Sequence, residues 1–263
     1  ANGLGGTSLA WRPLIEGLQD RARFVTWDYS GLHQSGPPPS RDAVSVPHQV
    51  ADLRAVMDAT DTEHAMLAGW SMGVQVSLQA AGDMPDRVSG LVLLNGTYGN
   101  AFETAFQIPL GGRTAVRMIN DAAIRAAPLL PTVVGAASRW KGLLPVLRTV
   151  GLVAPTLDKD IFTELAAGFE RLDFDLYHRT MAALDEHDAT PVLSSIEAPL
   201  LFLMGARDTM TPPSVGRHLK SHVPHAELIT VEGATHYALI EYPEEVVGHI
   251  RRFVEAAQMS DAA

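Results

Sequence analysis

Gly69-Trp70-Ser71-Met72-Gly73 matches the pattern G-x-S-x-G, in which bulk at Gly69 or Gly73 would collide with the elements that cross beside a sharply turned serine. A serine hydroxyl is a weak nucleophile at neutral pH, so attack on a carbonyl carbon needs a base beside it. Ten histidines compete for that task. His236 follows an apolar run and the turn Glu232-Gly233-Ala234-Thr235, where a loop can reach over the end of a sheet. His218, His222 and His249 fall on amphipathic helical stretches, and His225 falls in a turn. His218 and His222 stand four apart but have no third ligand near them in sequence, so no metal is expected. The base in turn needs a carboxylate that fixes its tautomer and offsets the imidazolium charge. Asp208, just past the run Leu200-Leu201-Phe202-Leu203-Met204, fills that place, and its competing reading is a turn or helix-capping residue beside Thr209. Asn95, at the end of an earlier apolar run, is not an acid and offers no rival.

Acyl chemistry also needs two backbone N–H groups aimed at the oxygen of a tetrahedral intermediate. Met72, the residue after the serine, supplies one. The other falls in Asn2-Gly3-Leu4-Gly5-Gly6-Thr7, with Leu4 as the choice, against the competing reading of a flexible tail.

These residues work only if strands and helices deliver them to one place. Ala65 to Ala68 reads as a short buried strand ending at Gly69, and Met72 to Ala81 as the helix after it. Further strands are expected at Phe24 to Trp27, Val88 to Leu94, Leu200 to Met204 and Glu227 to Val231. Leu9 to Gln19, Pro47 to Thr60 and Pro243 to Ala257 carry helical periodicity. Strands that are apolar throughout and alternate with helices indicate an α/β fold with a mostly parallel sheet covered on both faces. The alternation breaks from 100 to 193, where helix-like patterns and prolines at 109, 128, 131, 145 and 155 stand without a clear strand. The expected division is a core of 1–99 and 194–263 with a helical cap at 100–193.

The chain has 263 residues, 46% hydrophobic and 19% charged, enough for one sizeable core with an insertion. A net charge of −10 and no basic run beyond Arg251-Arg252 argue against nucleic acid as a partner. The absence of cysteine excludes disulfides and thiolate metal sites, which fits a reducing, cytoplasmic setting. No run of 18 apolar residues exists to span a membrane. Ala1 in place of an initiator methionine, and a glycine-rich loop at the very start, read as a chain from which something has been removed or left out.

The loop NGLGG, the elbow GWSMG, GARD with Asp208 and GATH with His236 together resemble the α/β-hydrolase superfamily over most of the chain outside the cap. The resemblance implies an eight-stranded core, of which the strands before the first loop are missing here. It implies no cofactor. Serine at the elbow departs from the haloalkane dehalogenases and epoxide hydrolases, which place aspartate there. Asn2 stands where a histidine is common. The expected activity is hydrolysis of a small-molecule carboxylic ester through Ser71, His236 and Asp208. Alternatives are another bond type on the same residues (thioester, lactone, carbon–carbon) or a slow-turnover binding protein. The cap stretch containing Leu129, Val133, Trp140, Leu143 and Val150 has two readings. In one it is the cap's own core. In the other it lines a pocket for a lipophilic acyl or alcohol part, or touches a membrane peripherally with Arg139 and Lys141 beside Trp140.

Overall fold

The computed structural model describes residues 1–104 and 112–261. Its centre is a sheet of four strands, β1 (Ala65–Trp70), β2 (Val88–Leu94), β3 (Leu200–Gly205) and β4 (Glu227–Val231), all parallel and lying in sequence order. All six residues of β3 are buried, as a central parallel strand covered on both faces requires. The period-2 alternation of strand side chains sorts them between two cores. Leu91, Leu93, Leu200, Phe202 and Met204 face a core shared with α2 (Val46–Ala59), α3 (Met72–Asp83) and α11 (Ser214–His222). Val92, Leu94, Leu201, Leu203 and Val231 face the opposite way, onto α1 (Arg12–Leu18) and α12 (Pro243–Asp261).

Phe24 to Trp27, expected as a strand, does not join the sheet. An apolar cavity of about 400 Å³, lined by Phe24 and Val25 on one side and Met66 and Leu67 on the other, lies between that segment and β1. Four of the five strands expected from the sequence therefore form a sheet among the described residues. Residues 1 and 2 run along the outer edge of β1, where the Ala1 amine donates to Ala68 O and Ala1 O accepts from Trp70 N–H at 3.1 Å.

Between β2 and β3 the described chain is helical: α4 (Ala101–Thr104), α5 (Gly112–Ala126), α6 (Leu130–Arg139), α7 (Leu143–Thr149), α8 (Lys159–Gly168), α9 (Phe174–Glu186) and α10 (Thr190–Leu193). Pro109 and the rest of 105–111 lie outside the described residues. Asp158 and Asp173 cap α8 and α9 by accepting from the N–H groups of the first turn. Asp185, fully buried, ties α9 to α4 and α5 by accepting from Phe102 N–H and from the guanidinium groups of Arg113 and Arg117. Leu172, Phe174, Leu176, Leu184 and Leu193 of this segment join the core on the α2 and α3 side of the sheet. Val153, Leu157, Ile161, Phe162 and Leu165 pack on Ala10 and Ile240 of the sheet-bearing part. Val134 and Leu143 face a cavity beside Ser71. Leu129, Trp140 and Val150 remain exposed. Arg139 beside Trp140 pairs with Glu170. No helix among the described residues is long and apolar enough to cross a membrane.

Candidate active site

Ser71 sits between the end of β1 and the start of α3, in a conformation (φ 55°, ψ −114°) that side chains other than glycine rarely adopt. Such strain persists only where the surroundings over-determine it. Here they do so through contact: a Cβ on Gly69 would run into the backbone of Gly73, and a Cβ on Gly73 into the carbonyl groups of Ala1 and Asn2. The second collision partner is thus the N-terminal loop rather than a crossing strand. The turn raises the serine hydroxyl above the N-terminus of α3, whose dipole favours developing negative charge.

His236 reaches the same point from the loop after β4. Its Nε2 lies 2.9 Å from Ser71 Oγ and its Nδ1 2.9 Å from Asp208 Oδ2. Because Asp208 accepts from Nδ1–H, Nε2 carries the lone pair and can take the serine proton. Asp208 is 3% exposed and fully occupied. Oδ1 accepts from the N–H groups of Met210 and Thr211, while Oδ2 accepts from His236, Thr211 Oγ1 and Asn95 Nδ2. Burial alone would push this carboxyl up, but the facing His236 and the hydrogen bonds from His236 and Thr211 outweigh it and hold the group below the ordinary aspartate range.

Leu4 and Met72 both line the cavity that contains Ser71 and His236. Met72 is the first residue of α3, so its N–H has no acceptor inside the helix. The glycine loop is pinned rather than loose. Asn2 is 2% exposed, its Nδ2 donates to Trp27 O at 2.7 Å, and its Oδ1 accepts from Trp11 Nε1 at 2.8 Å. Tyr29 OH donates to Asn2 O, and His33 Nε2 lies 3.0 Å from Gly5 O. Asparagine therefore supplies both a donor and an acceptor to lock the loop.

Four supporting residues were not singled out as such from sequence. Asn95, which from sequence is only a non-acid at the end of a strand, bridges Asp208 and Thr235 O with its amide. Thr211 braces Asp208 from three residues on. Trp70, inside the elbow, donates from Nε1 to His236 O at 2.9 Å. Glu241, 2% exposed, accepts from Thr235 N–H, Thr235 Oγ1 and Ala154 N–H, and so joins the histidine loop to the helical segment. Nothing in the local sequence marks Glu241 as buried, and its role is read from the fold. His218 and His222 stack on each other, and Tyr98 meets the first edge-on and the second at a tilt; neither histidine joins the Ser71, His236 and Asp208 cluster.

The cavity over Ser71 measures about 570 Å³ and is walled chiefly by apolar side chains, among them Val116 of α5, Val134 of α6 and Leu165 of α8. An apolar cleft of this size with a few convergent polar groups is the usual form of a small-molecule site.

The family model described as alpha/beta hydrolase fold matches residues 1–243. The chain is 26% identical over 250 residues to 3-oxoadipate enol-lactonase 2 of Acinetobacter baylyi, covering 93% of this chain and 83% of that one. It is 29% identical over 214 residues to a pimeloyl-acyl-carrier-protein methyl ester esterase of Neisseria meningitidis, covering 79% and 77%. Among solved structures, an esterase from Exiguobacterium antarcticum superposes with a TM-score of 0.77 at 16% identity, covering 96% of this chain and 89% of that one.

Proposed function

The chain belongs to the α/β-hydrolase family, and on that premise we propose that it is a serine hydrolase that cleaves carboxylic esters with a lipophilic acyl or alcohol part. The observation that carries this reading is the continuous line from Asp208 Oδ2 through His236 to Ser71 Oγ, with both links at 2.9 Å. Relatives named for an enol-lactone and for a methyl ester support an ester-type bond.

His236 Nε2 takes the hydroxyl proton as Ser71 Oγ bonds to the carbonyl carbon, and the carbonyl oxygen becomes an oxyanion held by the N–H groups of Leu4 and Met72. The imidazolium then gives its proton to the leaving alkoxide, which departs as the alcohol and leaves an acyl-serine. Water, deprotonated by the same nitrogen, attacks that ester and releases the acid and the serine. Asp208 orients and charge-balances the ring throughout, and the strained elbow keeps Ser71 Oγ at the mouth of the cavity.

Residues 1–99 and 194–263 form the catalytic core in this reading, and 100–193 form a cap that roofs the pocket. Side chains of α5, α6, α8 and α9 on the wall remove acyl carbons from water at about 0.8 kcal/mol per methylene, or roughly fourfold in rate per carbon. Esters of rising chain length test this. Specificity constants should climb from acetate to medium chains and level off once the cavity is full. Acetate as the best substrate would remove the lipophilic pocket while leaving the reacting groups in place.

A further inference from the structure

Inside the cavity, on the cap side, one imidazole is held in a defined tautomer by its neighbour. His178 on α9 and Asn120 on α5 both line the cavity. Asn120 Nδ2 donates to His178 O at 3.0 Å, which fixes the amide: the reverse orientation would set two oxygens against each other. Asn120 Oδ1 then lies 2.8 Å from His178 Nδ1, and since an amide oxygen only accepts, Nδ1 must carry hydrogen. In the neutral ring this leaves Nε2 with its lone pair, and no described residue bonds it. Burial pushes the pKa of this imidazole down and so favours the neutral form. The rings of Phe174 and Tyr177, with centroids 6.2 and 5.1 Å away, hold the plane in place.

Several other polar side chains on the wall are spent. Gln75 is engaged by Gly99 O and His187, Ser138 donates to Gly135 O, and Thr211 donates to Asp208. The hydroxyls of Thr97, Tyr177 and Tyr237, which also line the cavity, can donate or accept and impose no polarity on a ligand. His178 Nε2 does impose one.

We propose that His178, oriented by Asn120, is a binding residue that accepts a hydrogen bond from a hydroxyl or amide N–H carried by the substrate away from the ester. This rests on Ser71 acting as the nucleophile and adds the chemical class of the group at the far end of the chain. A site that accepts such a bond favours a substrate carrying the donor over one that lacks it, because an apolar chain end displaces water from the half-buried Nε2 without replacing its hydrogen bond.

The test compares p-nitrophenyl ω-hydroxyalkanoates, alkanoates of the same length and ω-carboxyalkanoates over a range of chain lengths. The readout is the ratio of kcat/KM values within each protein. In the native enzyme the ω-hydroxy ester should exceed the alkanoate by about tenfold at the best length, the scale of one buried hydrogen bond. In His178→Phe the ratio should fall to about one. In Asn120→Ala, where Nδ1 loses its acceptor and the tautomer is no longer fixed, the ratio should also fall. Turnover of alkanoates with no ω-hydroxy preference at any length, a native preference for the ω-carboxy ester, or a preference that survives in His178→Phe overturns the inference and leaves the reading of Ser71 intact. No turnover of any ester, together with no reaction of Ser71 with a fluorophosphonate, overturns both.

Discussion

Glu241→Gln is the sharpest test of how the histidine loop is held. Oε2 of Glu241 accepts from Thr235 N–H at 2.6 Å, and Oε1 accepts from Thr235 Oγ1 at 2.6 Å and Ala154 N–H at 2.8 Å. Every neighbour is a donor, and a carboxylate, which only accepts, satisfies all of them. Glutamine keeps the shape but replaces one oxygen with an NH₂ group. In one orientation that group faces Thr235 N–H, and in the other it faces Ala154 N–H. The threonine hydroxyl can adapt, since it also lies 3.1 Å from Leu152 O, but neither backbone donor can. One buried N–H is therefore orphaned whichever way the amide turns, at a cost of about 1–3 kcal/mol. With a urea m-value of about 2–3 kcal/mol/M, the unfolding midpoint should drop by roughly 0.3–1.5 M with m unchanged. Tryptophan fluorescence and far-UV circular dichroism should report the same transition. Because Thr235 precedes His236, kcat should fall by more than KM changes. A midpoint that moves by less than about 0.2 M, with kcat unaltered, would refute the satisfaction argument and the positioning role together.

Asp208→Asn should retain the fold and lose about four orders of magnitude in turnover, measured on the best ester. The two backbone N–H groups on Oδ1 hold the amide oxygen there, so the new NH₂ faces His236 Nδ1 and forces the proton onto Nε2. The lowered pKa of Asp208 also sets a pH dependence of stability: its contribution is complete above the ordinary aspartate value and drops out as pH falls through the lower folded value. Urea midpoints of the native protein and Asp208→Asn should accordingly converge in acid, and a gap that widens on acidification would contradict the depressed value. Gly73→Ala should cost several kcal/mol and most of the activity, because its Cβ meets the rigid backbone of Ala1 and Asn2. Thermal unfolding that matches the native protein would show the loop to be free to move.

Much of this architecture was legible from local pattern. The runs at 88–94 and 200–204 are apolar enough to be buried on both faces, and together with 227–231, an edge strand in which only Val231 is buried, they form β2, β3 and β4 within a residue of the expected bounds. The glycines of the elbow also announced a tight crossing, though the loop that passes Gly73 is 72 positions away in sequence and could not be named. Phe24 to Trp27 misled because β-like composition specifies extended backbone but not a partner, and its neighbour across the gap is a cavity. Residues such as Asn95, Thr211 and Glu241 are polar groups whose importance comes from burial. No single-sequence pattern separates a buried asparagine from one in a surface turn. The Asn120–His178 pair was hidden for a related reason, since it joins two helices 58 residues apart in sequence.

The most direct test of the account is covalent labelling at the elbow. Intact mass spectrometry after treatment with a fluorophosphonate should show a single adduct, and peptide mapping should place it on Ser71. Ser71→Ala should take up none and should lose ester turnover by a factor on the order of a million. An adduct or substantial turnover that persists in Ser71→Ala would put the chemistry elsewhere and contradict the central claim.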